Sequence, residues 1–142
     1  MVKQISLFLE NKKGRLAHVC RVLGDAGINI RALSLADTAD FGVLRLIVDD
    51  PAKTNAVLSE NGFVASITDV MAIQVPDVPG GLADALEKMD KAGLDVEYMY
   101  AFIGTNSQNA LVIIRVDSVE GAAQIMEGCG INVLNEEQVY SL

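Results

Sequence analysis

Hydrophobic positions along the chain follow two rhythms in turn. In "KQISLFLE" (residues 3–10) Ile5, Leu7 and Leu9 alternate with Gln4, Ser6 and Phe8, the two-residue period of a strand with one face in a core. From Leu16 the period lengthens, because Leu16, Val19, Cys20 and Leu23 keep helical i, i+3, i+4, i+7 spacing, and Gly27 stands where a helix C-cap wants positive φ. "INIRALSL" and "GVLRLIVD" predict two more strands, with a turn in "ADTADFG" between them. Asp50 followed by Pro51 marks a second helix start, an acceptor ahead of a residue without the N–H that a first turn cannot use. "FVASITD" is the fourth strand of this βαββαβ series.

The series is then written again. A shift of 66 residues lays Gly14 on Gly80, Leu16 on Leu82, Val19 on Ala85, Leu23 on Met89, Gly27 on Gly93 and Asn29 on Asp95. After a two-residue insertion, a shift of 68 lays Leu44 on Val112, Val48 on Val116, Asp49 on Asp117 and Gly62 on Gly130. "DVEYMYAF" and "ALVIIRVD" are the matching central strands, with "IGTNSQN" between; Ser118 is the expected cap of the matching helix, and a last strand is expected over roughly "INVLNEEQV". Two repeats mean two domains, since solenoids need more copies. The join is placed between residues 69 and 70, giving domains over 1–69 and 70–142. No Gly/Ser or Pro-rich linker lies there, so one strand is expected to run almost directly into the next and to couple the halves rigidly. The predicted fold class is α+β, two ferredoxin-like βαββαβ repeats whose antiparallel sheets carry helices on one face. That architecture hosts many functions, so function must be sought in sites.

Composition removes several of them. The chain has 142 residues, is 51% hydrophobic and 21% charged, and carries a formal net charge of −8. Aromatics make up 5% with no Trp, so a base-stacking, positively charged nucleic-acid surface is not expected. Charges within the first twenty residues interrupt any signal-peptide core and no run of eighteen apolar residues occurs, which predicts a cytoplasmic protein without a membrane partner. Cys20 and Cys129 are far apart and read as reduced, packed thiols. The lone His18 has no neighbouring ligand pair and falls on the solvated side of its helix, so no metal and no cofactor are expected. No Ser-His or Cys-His pairing is repeated and the carboxylates show no spacing for acid–base work, so the chain does not read as an enzyme. An acylphosphatase-like anion loop is the alternative from another class. Lys12, Lys13 and Arg15 fit it in the first half, but Val78, Pro79 and Gly81 replace them in the second.

The remaining candidate is the stretch "NKKGRLAHVCRVLGDAGINI" and its second copy "DVPGGLADALEKMDKAGLDV". A glycine between strand and helix allows a sharp turn and leaves the first helical N–H groups free beside the positive end of the dipole, where a carboxylate can be received. The following strand is expected to bring Asn29 and Asp95 to the same end of the sheet as Asn11 and Asp77. Side-chain oxygens there could take an ammonium group, completing a receptor for a free amino acid. Plain turn glycines and strand-edge polar residues would show the same spacing.

"DVPGGL" (Asp77 to Leu82) resembles the D/N-x-P-G-x-L signature of the ACT domain, and "AGINI" (Ala26 to Ile30) resembles the segment after its first helix. The resemblance covers the chain as two tandem copies. It implies a regulatory small-molecule module, most often for amino acids, that pairs side by side with ligand at the interface. By position it implies ligand contacts at Asn11 and Asn29 in the first copy and Asp77 and Asp95 in the second. Loop amides and neighbours would join them at Lys13, Gly14, Arg15, Leu16 and Ile30, and at Gly80, Gly81, Leu82 and Val96. Lys13 stands where the signature has proline, and Leu9 and Val75 stand where serine-binding members carry His, so serine is not the expected ligand.

The charges differ between copies. Residues 1–69 hold eight Lys/Arg and eight Asp/Glu, whereas residues 70–142 hold three and eleven. Lys12, Lys13 and Arg15 favour an anionic group at the first loop, and Asp77, Asp84 and Asp95 favour a cationic one or none at the second. The Asn11/Asn29 site is therefore expected to be the better receptor, although the same asymmetry could serve solubility alone. Apolar Leu9, Ile30, Val75 and Val96 lean toward a branched or aromatic amino acid. With nearly all of the sequence taken up by ACT-like repeats, the chain is expected to act in trans, as a homodimeric sensor docking on an enzyme of amino-acid metabolism. A ligand-independent assembly module is the alternative.

Overall fold

A computed structural model of the chain describes residues 1–37, 40–102, 108–117 and 121–142. The expected Ser118 cap, and the turn residues 38–39 and 103–107, lie outside these. The elements are β1 (Val2–Glu10), α1 (Arg15–Asp25), β2 (Ile30–Asp37), β3 (Phe41–Val48), α2 (Pro51–Glu60), β4 (Ala65–Pro76), α3 (Gly81–Lys91), β5 (Val96–Ala101), β6 (Asn109–Val116), α4 (Ala122–Gly128), β7 (Asn132–Leu134) and α5 (Glu136–Tyr140). They fall into two compact units, Lys3–Thr68 and Asp69–Leu142 with Met1–Val2. The boundary between Thr68 and Asp69 lies inside β4.

In the first unit β3 pairs antiparallel with β1 (Leu7↔Leu44) and with β2 (Leu33↔Leu46). In the second unit β6 pairs antiparallel with β4 (Ile73↔Val112) and with β5 (Met99↔Ile114), and β7 adds to β4. These registers repeat the 66- and 68-residue shifts read from the sequence. Even an irregularity is duplicated, since the β2 ladder shifts between Ile30 and Ala32 and the β5 ladder between Val96 and Tyr98.

Each unit buries the alternate strand residues against its own helices. In the first, Ile5, Leu7 and Leu9 of β1 and Leu44, Leu46 and Val48 of β3 meet Val19 and Leu23 of α1 and Leu58 of α2. In the second, Met71, Ile73 and Val75 meet Val112, Ile114 and Val116, with Ala85, Met89 and Met126 from the helices. Cys20 and Cys129 are free and half-buried. Asp50 caps α2 as expected, its carboxylate accepting from the Lys53 amide at 3.1 Å.

The C-terminal segment departs from the expected strand over 131–139. Pairing stops at Leu134 and a short helix follows. Asn135 and Gln138 close a reciprocal capping box, each side chain accepting from the other's backbone N–H at 2.9 Å, and Val139 is fully buried. Asn followed by Gln three residues later is a signal for a helix start that the apolar spacing obscured.

Candidate functional site

Both strand–helix loops turn on a left-handed glycine. Gly14 has φ 86° and ψ −6°, Gly80 has φ 84° and ψ −8°, and neither helix receives a side-chain cap. A residue with a Cβ is disfavoured in this conformation, and the absence of a cap leaves early helical N–H groups to solvent or ligand. The hydrogen-bond frame around the two loops is the same. Asn11 N–H donates to Asp40 O at 3.1 Å and Asp77 N–H to Gln108 O at 3.2 Å; His18 N–H donates to Gly14 O and Asp84 N–H to Gly80 O, both at 2.9 Å.

Side chains at the first loop form a polar rim. Asn11 Nδ2 donates to Asp37 Oδ1 at 2.6 Å, and Lys12 pairs with Glu10 at 2.9 Å. The Lys12 ammonium, through that hydrogen bond and its charge, holds the Glu10 carboxyl below its ordinary value. Lys13 and Leu16 are exposed, and Arg15 is half-buried. A small cleft of about 60 Å³ is lined by Glu10, Asn11, Lys12, Arg15, Leu16 and Leu35. Leu16 and Leu82 open their helical stripes in the sequence, yet both are exposed beside the loop.

The expected convergence of Asn11 with Asn29 does not occur within a repeat. β1 and β2 are both antiparallel to β3, so they are parallel to each other, and β2 begins where β1 begins. Glu10 is opposite Phe41, and Ile30 is opposite Val48, seven positions further along β3 and about 23 Å away at strand rise. The same registers separate Asp77 from Asp95 in the second unit, where Pro76 is opposite Asn109 and Val96 opposite Val116. The expectation failed because a helix that crosses the sheet returns the chain to the far end. Asn29 is exposed there, its N–H donating to Asp49 Oδ1 at 3.1 Å. Asp95 is likewise exposed, and its carbonyl accepts from Asp117 N–H at 3.4 Å. Leu9, Ile30, Val75 and Val96 pack into or against the cores, so their apolar character reports folding and not a ligand side chain.

The second loop is tighter. Gly81 is buried, and a Cβ added there would come within 2.1 Å of the Pro76 carbonyl oxygen. Arg15 occupies the equivalent position in the first repeat, with Glu10 in place of Pro76. Asp77, Gly80 and Leu82 are exposed around it. No group of three or more metal-ligating side chains is found among the described residues.

The sequence profile of the ACT domain pair matches residues 1–142. The chain belongs to the ACT domain pair family. A protein of Bacteroides thetaiotaomicron with a known crystal structure superposes on this ACT pair with a TM-score of 0.92 at 41% identity, covering 99% of this chain and 96% of that one. The ligand-free regulatory subunit of aspartate kinase from Thermus thermophilus gives 0.64 at 18% identity, covering 89% and 91%. The corresponding subunit from Thermus flavus gives 0.57 at 18% identity, covering 90% and 92%. The last two establish a shared fold. No curated protein matched. The ACT pair thus has the ferredoxin-like repeats expected of it, and no helix among the described residues is long and apolar enough to cross a membrane.

Proposed function

We propose that this ACT pair is a non-catalytic regulatory protein of the cytoplasm that binds a free amino acid and acts in trans on an enzyme of amino-acid metabolism. The first-repeat loop carries the reading: an uncapped helix N-terminus at Gly14, flanked by Asn11, Lys13 and Arg15, in a chain of this family. Helical N–H groups and the two cations receive the carboxylate, and the Asn11 and Asn29 side-chain oxygens take the ammonium group. An amino acid is far shorter than the separation of Asn11 from Asn29 within one repeat. A ligand that touches both must therefore draw them from two repeats, which supports a homodimer in which a second copy of the chain supplies Asn29. Asp77, Gly80 and Leu82, exposed at the second loop, with an Asp95 drawn from another copy, form the weaker counterpart.

The test is a thermal-shift screen of the purified protein against the twenty amino acids at millimolar concentration. A ligand at a hundred times its Kd adds about 2.7 kcal/mol, a shift of several degrees for a chain of this size. A response confined to one chemical group of amino acids is the expected result. A flat response to all twenty removes the amino-acid reading and leaves an assembly module.

A further inference from the structure

Next to the loop, and sharing Glu10 and Arg15 with the small cleft at Asn11, the first repeat carries a larger one of about 400 Å³. Its walls are Phe8, Phe41, Phe63 and Val64, with Gly62 at the back and Glu10 and Arg15 at the rim. Phe8 at 63% exposure, Phe41 at 48% and Val64 at 75% are left to water, an unfavourable arrangement unless something covers them. Phe63 is the exception, buried at 6% beneath Arg15, whose guanidinium carbon sits 5.0 Å from the ring centroid. His18 lies tilted against the same ring, with centroids 5.8 Å apart.

Arg15 is the decisive group. Its Nε is shielded from solvent and has no hydrogen-bond partner. Among the described residues no carboxylate forms a close ion pair with it, and Glu10, bonded to Lys12, feels the Arg15 charge only at longer range. The guanidinium also lines the cleft, where its terminal nitrogens can offer a carboxylate two parallel N–H donors. The cleft volume falls within the range of small-ligand pockets, and its makeup, apolar walls with one charged group, is that of a specific site.

The second repeat carries different groups at the equivalent place. Gln74 and Asn132 stand where Phe8 and Val64 do, and the Asn132 amide donates to Gln74 Oε1. Asn109, Ile131 and Gly81 replace Phe41, Phe63 and Arg15, so the aromatic walls and the cation are lost together.

We propose that the cleft formed by Phe8, Phe41, Phe63, Val64 and Arg15 is a second ligand site that takes an aromatic monocarboxylate, its ring against the phenylalanines and its carboxylate on Arg15. Among the cleft's lining residues the one carboxylate, Glu10, is bonded to Lys12, so an α-ammonium group is not required of the ligand. Arg15 is shared with the amino-acid site of the Asn11 loop, so the two ligands would compete for one guanidinium, and the Phe8/Val64 change, which touches no residue of that loop, tells the two sites apart.

The test is titration calorimetry of the intact chain with phenylacetate and 1-naphthylacetate, with benzyl alcohol as the neutral counterpart and hexanoate as the non-aromatic one. One aryl acid per chain is expected to bind, with both counterparts at least tenfold weaker. Arg15→Gln is expected to lower aryl-acid affinity at least tenfold. The double substitution Phe8→Gln with Val64→Asn, which installs the second repeat's polar pair at two exposed positions, is expected to do the same without changing the melting temperature by more than a few degrees. Gln74→Ala with Asn132→Ala is expected to leave affinity within twofold. Absence of saturable heat with both aryl acids, equal affinity for hexanoate, or affinity untouched by the Phe8/Val64 change overturns the proposal.

Discussion

The loops at Gly14 and Gly80 have the same backbone and opposite surroundings. Their dihedral angles agree within a few degrees, and the same carbonyls accept the same amides around them. Yet one is flanked by Lys12, Lys13 and Arg15 beside an open aromatic cleft, while the other presents Asp77, Val78 and Pro79 and is packed tight at Gly81. The comparison teaches that hydrogen bonding between main-chain groups holds the frame of a repeat, because those groups are present whatever the side chains. Side chains on the rim are free to diverge, and their divergence decides what each loop can receive.

The shared frame predicts equal costs in the two cores. Leu23 and Met89 occupy equivalent helical positions and are each 1% exposed, so Leu23→Ala and Met89→Ala should each destabilise by about 3 kcal/mol in urea unfolding. A much smaller cost at either position would show that the cores are not alike. The loops should differ where the cores agree. Gly81→Ala drives a Cβ onto the Pro76 carbonyl and should cost about 2 kcal/mol or more, an overpacking effect. Gly14→Ala meets nothing within 4 Å and should cost only about 1 kcal/mol, the conformational penalty of positive φ.

Binding should sharpen the contrast further. With an amino acid identified, Asn29→Ala is expected to weaken binding at least tenfold and Asp95→Ala to leave it within twofold, as read by calorimetry. The reverse ranking would exchange the roles of the repeats. The smallest effect is electrostatic. Glu10 should titrate below its ordinary value of 4.5, followed by NMR, and Lys12→Met should return it upward. Since the folded-state value is the lowered one, whatever stability the pair contributes is present above the ordinary carboxylate pKa and is lost as pH falls through the lowered value. The pair is exposed, so salt should weaken it.

Much of this was legible in the residues. The period of two in β1, the helical stripe of α1 and the 66-residue offset led directly to the repeat, and the observed registers carry the same offsets in pairs such as Leu7↔Leu44 and Ile73↔Val112. Periodicity reports which face of an element is buried, and that information is local. What it does not report is direction across a sheet, so Asn29 was assigned to the end where Asn11 lies, and only the register against β3 separates them. The aromatic cleft was missed for a related reason. Phe8, Arg15, Phe41 and Phe63 are spread over more than fifty residues, and Phe8 gave only the weak signal of a large apolar group in the polar phase of its strand. The helix α5 is hidden by the apolar spacing of 131–139, and its one sign in the sequence is the Asn135/Gln138 pair.

The contact of Gly81 with the Pro76 carbonyl bears on how the two copies came to differ. An arginine at position 81 would need more than a codon change, since there is no space for even its first carbon. Reversal would require the backbone to retreat first, a step with no advantage of its own. The narrowing acts as a ratchet: while the backbone stays where it is, position 81 admits only glycine, whereas the equivalent position in the first repeat carries a full arginine side chain.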